Sequence, residues 1–90
     1  MEAILGRVKG RVQGVGFRYH TQDCALALGL KGYVTNLPDG RVEFFIQGDE
    51  HALKKALSQI KKGPEYSDVA DISWEKVTTD MTLSDFTIRM

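Results

Sequence analysis

Between Val12 and Arg18 the hydrophobic period of the chain changes from two to about 3.6, across a pair of glycines, Gly14 and Gly16. Upstream, from Ala3 to Gln13, Ile4, Val8 and Val12 fall on one face and Arg7, Lys9, Arg11 and Gln13 on the other, the pattern of a half-buried strand. Downstream, Phe17, Thr21, Cys24, Ala25 and Leu28 recur at intervals of three and four. That spacing predicts a helix over 18–28 with one apolar stripe, stopped at Gly29. A strand that feeds a helix and then another strand makes a crossover, so the first two strands must run parallel.

The remaining elements follow from the same signals. A second strand is expected over Lys31 to Leu37, and Leu37-Pro38-Asp39-Gly40 supplies a tight turn. The returning strand, Arg41 to Gln47, sets Val42, Phe44 and Ile46 against Glu43, Phe45 and Gln47, and Gly48 ends it. Asp49 is positioned to cap a second helix with Leu53, Ala56, Leu57 and Ile60 buried and Lys54, Lys55, Lys61 and Lys62 in water; Gly63-Pro64 breaks it. An extended run, Val69 to Val77, places Ile72 and Trp74 on one face, and a short strand, Phe86 to Met90, closes the chain. The order strand, helix, strand, strand, helix, strand, plus one terminal strand, predicts an α+β sandwich of the ferredoxin-like kind, two helices on one face of an antiparallel sheet. Ninety residues, 1–90, suffice for one such domain.

Twelve basic and twelve acidic residues cancel, so no global field draws the chain to nucleic acid or to an anionic membrane, and any anion site must be local. With no apolar run of spanning length and no secretory signal, a soluble, cytoplasmic protein is expected. The single cysteine, Cys24, has no internal disulfide partner and falls on the inward stripe of the first helix, where a small core residue is expected.

Parallel first and second strands bring their C-terminal ends to one edge of the sheet even if the hairpin partner lies between them. Arg18 follows the first end and Asn36 lies near the second, about 10 Å away at two strand spacings. The NH groups of Gly14 to Arg18 can form a concave nest at a helix start, and an arginine guanidinium adds a planar fork that matches phosphate oxygens. Spacing alone leaves plainer readings open: glycines that serve only the turn, an arginine in water, an asparagine that bonds the neighbouring turn.

Gly10-Arg11-Val12-Gln13-Gly14-Val15-Gly16-Phe17-Arg18 resembles the first signature of the acylphosphatase family. Gly32-Tyr33-Val34-Thr35-Asn36, followed by Gly40, Val42 and Gly48, resembles its second. Thr35 departs from the longer, often basic residue common there. The resemblance implies a metal-independent, cofactor-free hydrolase that splits acyl phosphates into carboxylate and inorganic phosphate. Gly14, Val15, Gly16, Phe17 and Arg18 would hold the phosphoryl group and Asn36 would position the attacking water. It also implies a sheet order of 4-1-3-2 with the terminal strand beside the second. The expected partner is a small acyl phosphate met by a monomer, with no nucleic acid and no membrane.

Other phosphate chemistries fit poorly. A nucleotide P-loop lacks its Gly-Lys-Ser or Gly-Lys-Thr, and Gly14-Val15-Gly16 lacks the third glycine of a dinucleotide fingerprint. His20 and His51 stand alone, as helix-surface residues rather than metal ligands. The main alternative is a non-catalytic module on the same fold. It would bind a phosphorylated metabolite, or stack RNA bases on Phe45 and Tyr33.

Overall fold

A computed structural model describes residues 1–89; Met90, the last residue of the expected terminal strand, lies outside the described residues. The elements are β1 (Glu2–Arg11), α1 (Phe17–Ala27), β2 (Lys31–Asn36), β3 (Val42–Gly48), α2 (Glu50–Lys62), β4 (Asp68–Val77) and β5 (Phe86–Arg89). They form one sheet in the order β4-β1-β3-β2-β5, as the resemblance implied. Neighbours pair antiparallel except β2 with β5, which are parallel, so the sheet is mixed rather than wholly antiparallel. Because β3 is antiparallel to both β1 and β2, those two strands run the same way and end at the same edge.

Element ends differ from the periodicity by one or two residues. β1 stops at Arg11 rather than Gln13, after an irregularity between Lys9 and Gly10 that shifts its register on β4. There the backbones approach so closely that a Cβ on Gly10 would stand 2.2 Å from the Asp68 carbonyl oxygen. The ladder between β1 and β3 runs from Glu2↔Gly48 to Val8↔Val42, so the last residues of β1 pair only with β4.

Both helices lie on one face, α1 over β2 and β5 and α2 over β1, β3 and β4, with the helices also in contact. Between the layers sit Val8, Val12, Phe17, Val34, Val42, Phe44, Ile46, Ile60 and Phe86, all essentially inaccessible. Burial of each such side chain contributes about 1.5–3 kcal/mol. On α2, Leu53, Ala56 and Ile60 are buried as expected and Leu57 is half-buried. On α1, Phe17, Thr21 and Ala25 form the buried stripe, and the Thr21 hydroxyl donates to the Phe17 carbonyl at 2.9 Å, which satisfies it inside the core.

Cys24 is not a core residue. It is half-buried at the side of α1, with its Sγ 3.9 Å from either ring nitrogen of His20. His20 is likewise half-buried rather than a surface residue, because its ring leans on Phe17 with centroids 6.3 Å apart. Burial pushes the imidazole below its usual range despite Asp23 nearby, and it pushes the Cys24 thiol up, with Asp23 adding to the rise. Neither group is set up as a thiolate or an imidazolium.

One end of the other face of the sheet is covered by a crossing segment. β4 and β5 stand at opposite edges, so residues 78–85 must cross the sheet to join them. They are pinned in the middle by Gln47 of β3. Its Nε2 donates to the Asp80 carbonyl at 2.7 Å and its Oε1 accepts from the Asp80 NH at 2.8 Å. That two-way bond explains how a glutamine can be only 2% exposed. Beside it, Tyr33 and Phe45 stack with centroids 5.8 Å apart, and the Arg89 guanidinium lies 3.9 Å over the Tyr33 ring.

Candidate active site

The loop from β1 to α1 is built by side chains that alternate between core and solvent. Val15 packs against the core and Phe17 is buried within it, which fixes the chain at two points and turns Gly14 and Gly16 outward. Gly14 has φ 75° and Gly16 has φ 78°, while Val15 between them has negative φ. Alternating signs of φ aim successive NH groups toward one side, the geometry of an anion nest. A Cβ on either glycine would meet nothing within 4 Å, so backbone conformation rather than space demands glycine there.

Gly16 is also the N-cap of α1. The cap makes no side-chain hydrogen bond, and no acidic residue stands in the first turn. The positive end of the helix dipole therefore opens on the loop.

Arg18 and Asn36 line one cleft with Val12, Gly14, Gly16, Phe17 and Tyr19, a space of about 220 Å³, enough for a phosphate-sized group. The crossover has thus brought together the two segments that sequence spacing placed at a common edge. Asn36 is the last residue of β2, and its Oδ1 is buried without a hydrogen-bond partner among the described residues. An acceptor left in that state costs about 1–3 kcal/mol, which a water or ligand donor in the cleft would recover.

Of the expected loop residues, Gly14, Gly16, Phe17 and Arg18 line the cleft, whereas Val15 does not and packs its side chain against the core. Sequence reasoning missed Val12 and Tyr19. Val12 was legible only as the last apolar position of the first strand. Tyr19 is 68% exposed and off the apolar stripe, so neither periodicity nor charge marks it.

A larger open groove, about 570 Å³, runs past Lys9, Gly10, Asp39, Gly40, Arg41 and Ala70. Two of its three charged side chains are paired, Arg41 Nε donating to Asp39 Oδ2 at 2.8 Å, and Gly10 of the β1 irregularity lines it. On the opposite face of the sheet Tyr33 and Phe45 stack on each other and Arg89 lies over Tyr33. Among the described residues no group of three or more His, Cys, Asp or Glu side chains is placed to hold a metal ion, and no helix is long and apolar enough to cross a membrane.

Residues 5–88 match the acylphosphatase family. The chain is 48% identical to an acylphosphatase of Thermotoga maritima over 99% of its own length and 98% of that protein. It is 52% identical to one of Archaeoglobus fulgidus, over 84% of this chain and 85% of that one. Its structure superposes on the crystal structure of acylphosphatase from Bacillus subtilis with a TM-score of 0.96 at 40% identity, each chain covered in full. With the two signature segments joined in one cleft and the likeness running from end to end, this chain belongs to the acylphosphatase family.

Proposed function

We propose that the cleft hydrolyses acyl phosphates without a metal ion, the Gly14 to Arg18 loop holding the phosphoryl group and Asn36 placing the water. The NH groups of the loop and the first turn of α1 take the equatorial oxygens, and the Arg18 guanidinium spans two of them. The water oxygen attacks phosphorus opposite the acyl oxygen, the bond from phosphorus to that oxygen breaks, and its electron pair leaves as a carboxylate. A carboxylate leaves without being protonated, so no general acid is needed. The water proton passes to a phosphoryl oxygen. Asn36 is not a base: its Oδ1 accepts a hydrogen bond from the water and turns a lone pair toward phosphorus.

The observation that carries this assignment is the unpartnered Oδ1 of Asn36, buried in the same cleft that Arg18 and the glycines line. Phosphoryl transfer depends mainly on such positioning and on charge stabilisation, and the cleft has groups for both. A neutral net charge suits a protein that meets a small anion through a local site. In keeping with that, the protein is read as a cytoplasmic monomer without cofactor, nucleic acid or membrane partner; light scattering of the purified chain checks the oligomeric part.

The test is release of inorganic phosphate from a synthetic acyl phosphate, with and without a strong chelator. Turnover unchanged by the chelator is expected. Loss of turnover that added metal restores would overturn the metal-free mechanism, and phosphate binding without turnover would favour a metabolite-binding role.

A further inference from the structure

Gln13 stands between the two halves of the site, and nothing in the mechanism above uses it. The pairing of β1 with β3 ends at Val8↔Val42, and beyond it β1 turns toward β4 through the shift at Lys9 and Gly10. Among the described residues the loop that follows makes no backbone hydrogen bond to the β2 and β3 side, although the cleft needs it at a set distance from Asn36. Gln13 supplies the missing tie. Its Nε2 donates to the Leu37 carbonyl at 2.8 Å and to the Arg41 carbonyl at 3.0 Å, so both amide hydrogens are used.

Those two acceptors form the neck of the turn between β2 and β3. The Leu37 NH donates to the Arg41 carbonyl at 2.8 Å, and the Gly40 NH donates to the Leu37 carbonyl at 3.1 Å. One side chain thus joins the residue immediately before Gly14 to the residue immediately after Asn36.

We propose that Gln13 is a positioning residue of this active site: by bracing the turn neck it sets the distance between the phosphate-holding loop and the water-holding Asn36. This rests on the functional assignment above. Misplacement of reacting groups by about 1 Å can cost about a hundredfold in rate. Loss of the brace should therefore appear in kcat far more than in phosphate affinity, which the loop and Arg18 retain by themselves.

The experiment compares the unsubstituted chain with Gln13→Met, which keeps the bulk but removes both donors, and with Gln13→Glu. The measurements are kcat, KM, the inhibition constant of inorganic phosphate and the melting temperature, from mildly acidic to neutral pH. For Gln13→Met the expected result is a kcat lower by roughly 10- to 100-fold, with phosphate inhibition changed less than about threefold.

Gln13→Glu is expected to be at least as impaired at neutral pH, where an ionised carboxylate faces two carbonyl oxygens. Its kcat should recover as the pH falls and the carboxyl regains a donor hydrogen, while the unsubstituted chain stays flat. Asp39 in the same turn is held below the usual carboxylate range, chiefly by the Arg41 NH, so it stays charged through that interval and is not the source of the recovery. That pH signature is read within one folded protein, so a lowered melting temperature cannot imitate it.

Unchanged kcat in Gln13→Met beside normal turnover of the unsubstituted chain overturns the bracing role alone. A Gln13→Glu profile as flat as the parent's does the same. Absence of turnover by the unsubstituted chain overturns the functional assignment itself.

Discussion

Helix α2 begins on Asp49, whose carboxylate accepts from the NH groups of His51 at 3.1 Å and Ala52 at 3.4 Å, with Glu50 in the first turn. Helix α1 begins on Gly16, with no side-chain cap and no acid in its first turn, and its own Arg18 lines a small cleft together with Asn36 of β2. Both starts have the same orphan donors and the same positive dipole end. In α2 the chain answers them with its own carboxylate, which stabilises the fold by about 1 kcal/mol. In α1 the cap residue has no side chain to do so, and a cleft lies beside the helix start instead. A binding site here is thus a helix start from which the usual internal solution has been withheld.

That contrast can be attacked from either side. The largest effect is expected from Arg18→Gln, which leaves the open helix start in place but removes the guanidinium: kcat/KM should fall by about a thousandfold and phosphate inhibition should weaken with it. Retention of tight phosphate inhibition would mean that the loop and dipole hold the anion alone.

Next comes Gly16→Asp, which gives α1 the kind of start that α2 has. Activity should drop by about a hundredfold. Phosphate at a hundred times its dissociation constant, which stabilises the parent by about 2.7 kcal/mol, should no longer raise the melting temperature. Gly16→Asn tolerates the same left-handed backbone without the charge, so a milder loss there isolates electrostatics from strain.

Asn36→Ala tests whether binding and hydrolysis are separable: kcat should fall by roughly a hundredfold while phosphate inhibition stays within a few-fold. Equal loss of phosphate affinity in this variant and in Arg18→Gln would contradict the division of roles.

Asp49→Ala opens the start of α2 instead. The expected cost is about 1 kcal/mol. For a domain of this size that is a fall of roughly 4–8 °C in melting temperature, with kcat unchanged.

The smallest effect concerns pH. No step of the mechanism draws on a group that titrates near neutrality, so kcat/KM should change less than about twofold between mildly acidic and neutral solutions. A steep acid limb that disappears in His20→Gln would place that histidine in the chemistry. His20 does have a predicted stability effect. Its folded-state affinity for protons is lowered by burial, so the unfolded chain takes up the proton first as pH falls through the ordinary imidazole range. Stability contributed by neutral His20 is present above that range and is lost on acidification, and the loss should be smaller in His20→Gln.

Much of this was legible in the sequence because it depends on local pattern. Period two up to Val12 and spacings of three and four from Phe17 located β1 and α1, and the crossover rule then placed Arg18 and Asn36 at one edge before any contact was known. What escaped was carried by long-range polar contacts, for which sequence has no periodic signal. Gln47 alternates onto the face opposite Val42, Phe44 and Ile46, and that pattern carries no sign of the crossing segment that buries it. Gln13 was read as the polar end of β1, but its amide reaches 24 and 28 residues ahead to the turn neck. Cys24 and His20 were misjudged because a residue at the margin of a helix stripe takes its burial from its neighbours, here each other and Phe17.

The crossing of residues 78–85 bears on how this small sheet avoids association. Strand β5 shields one edge of β2 by parallel pairing, and the segment leading into it lies across the Gln47 position. Both depend on one short stretch, residues 78–89, held by the Gln47 bonds to Asp80, by pairing with β2 and by burial of Phe86. When it detaches, an unpaired strand edge and the face bearing Phe45 are uncovered together, the pairing of features through which one sheet can template another. Substitutions that loosen the Gln47 bonds or the burial of Phe86 should therefore lower the protein's solubility.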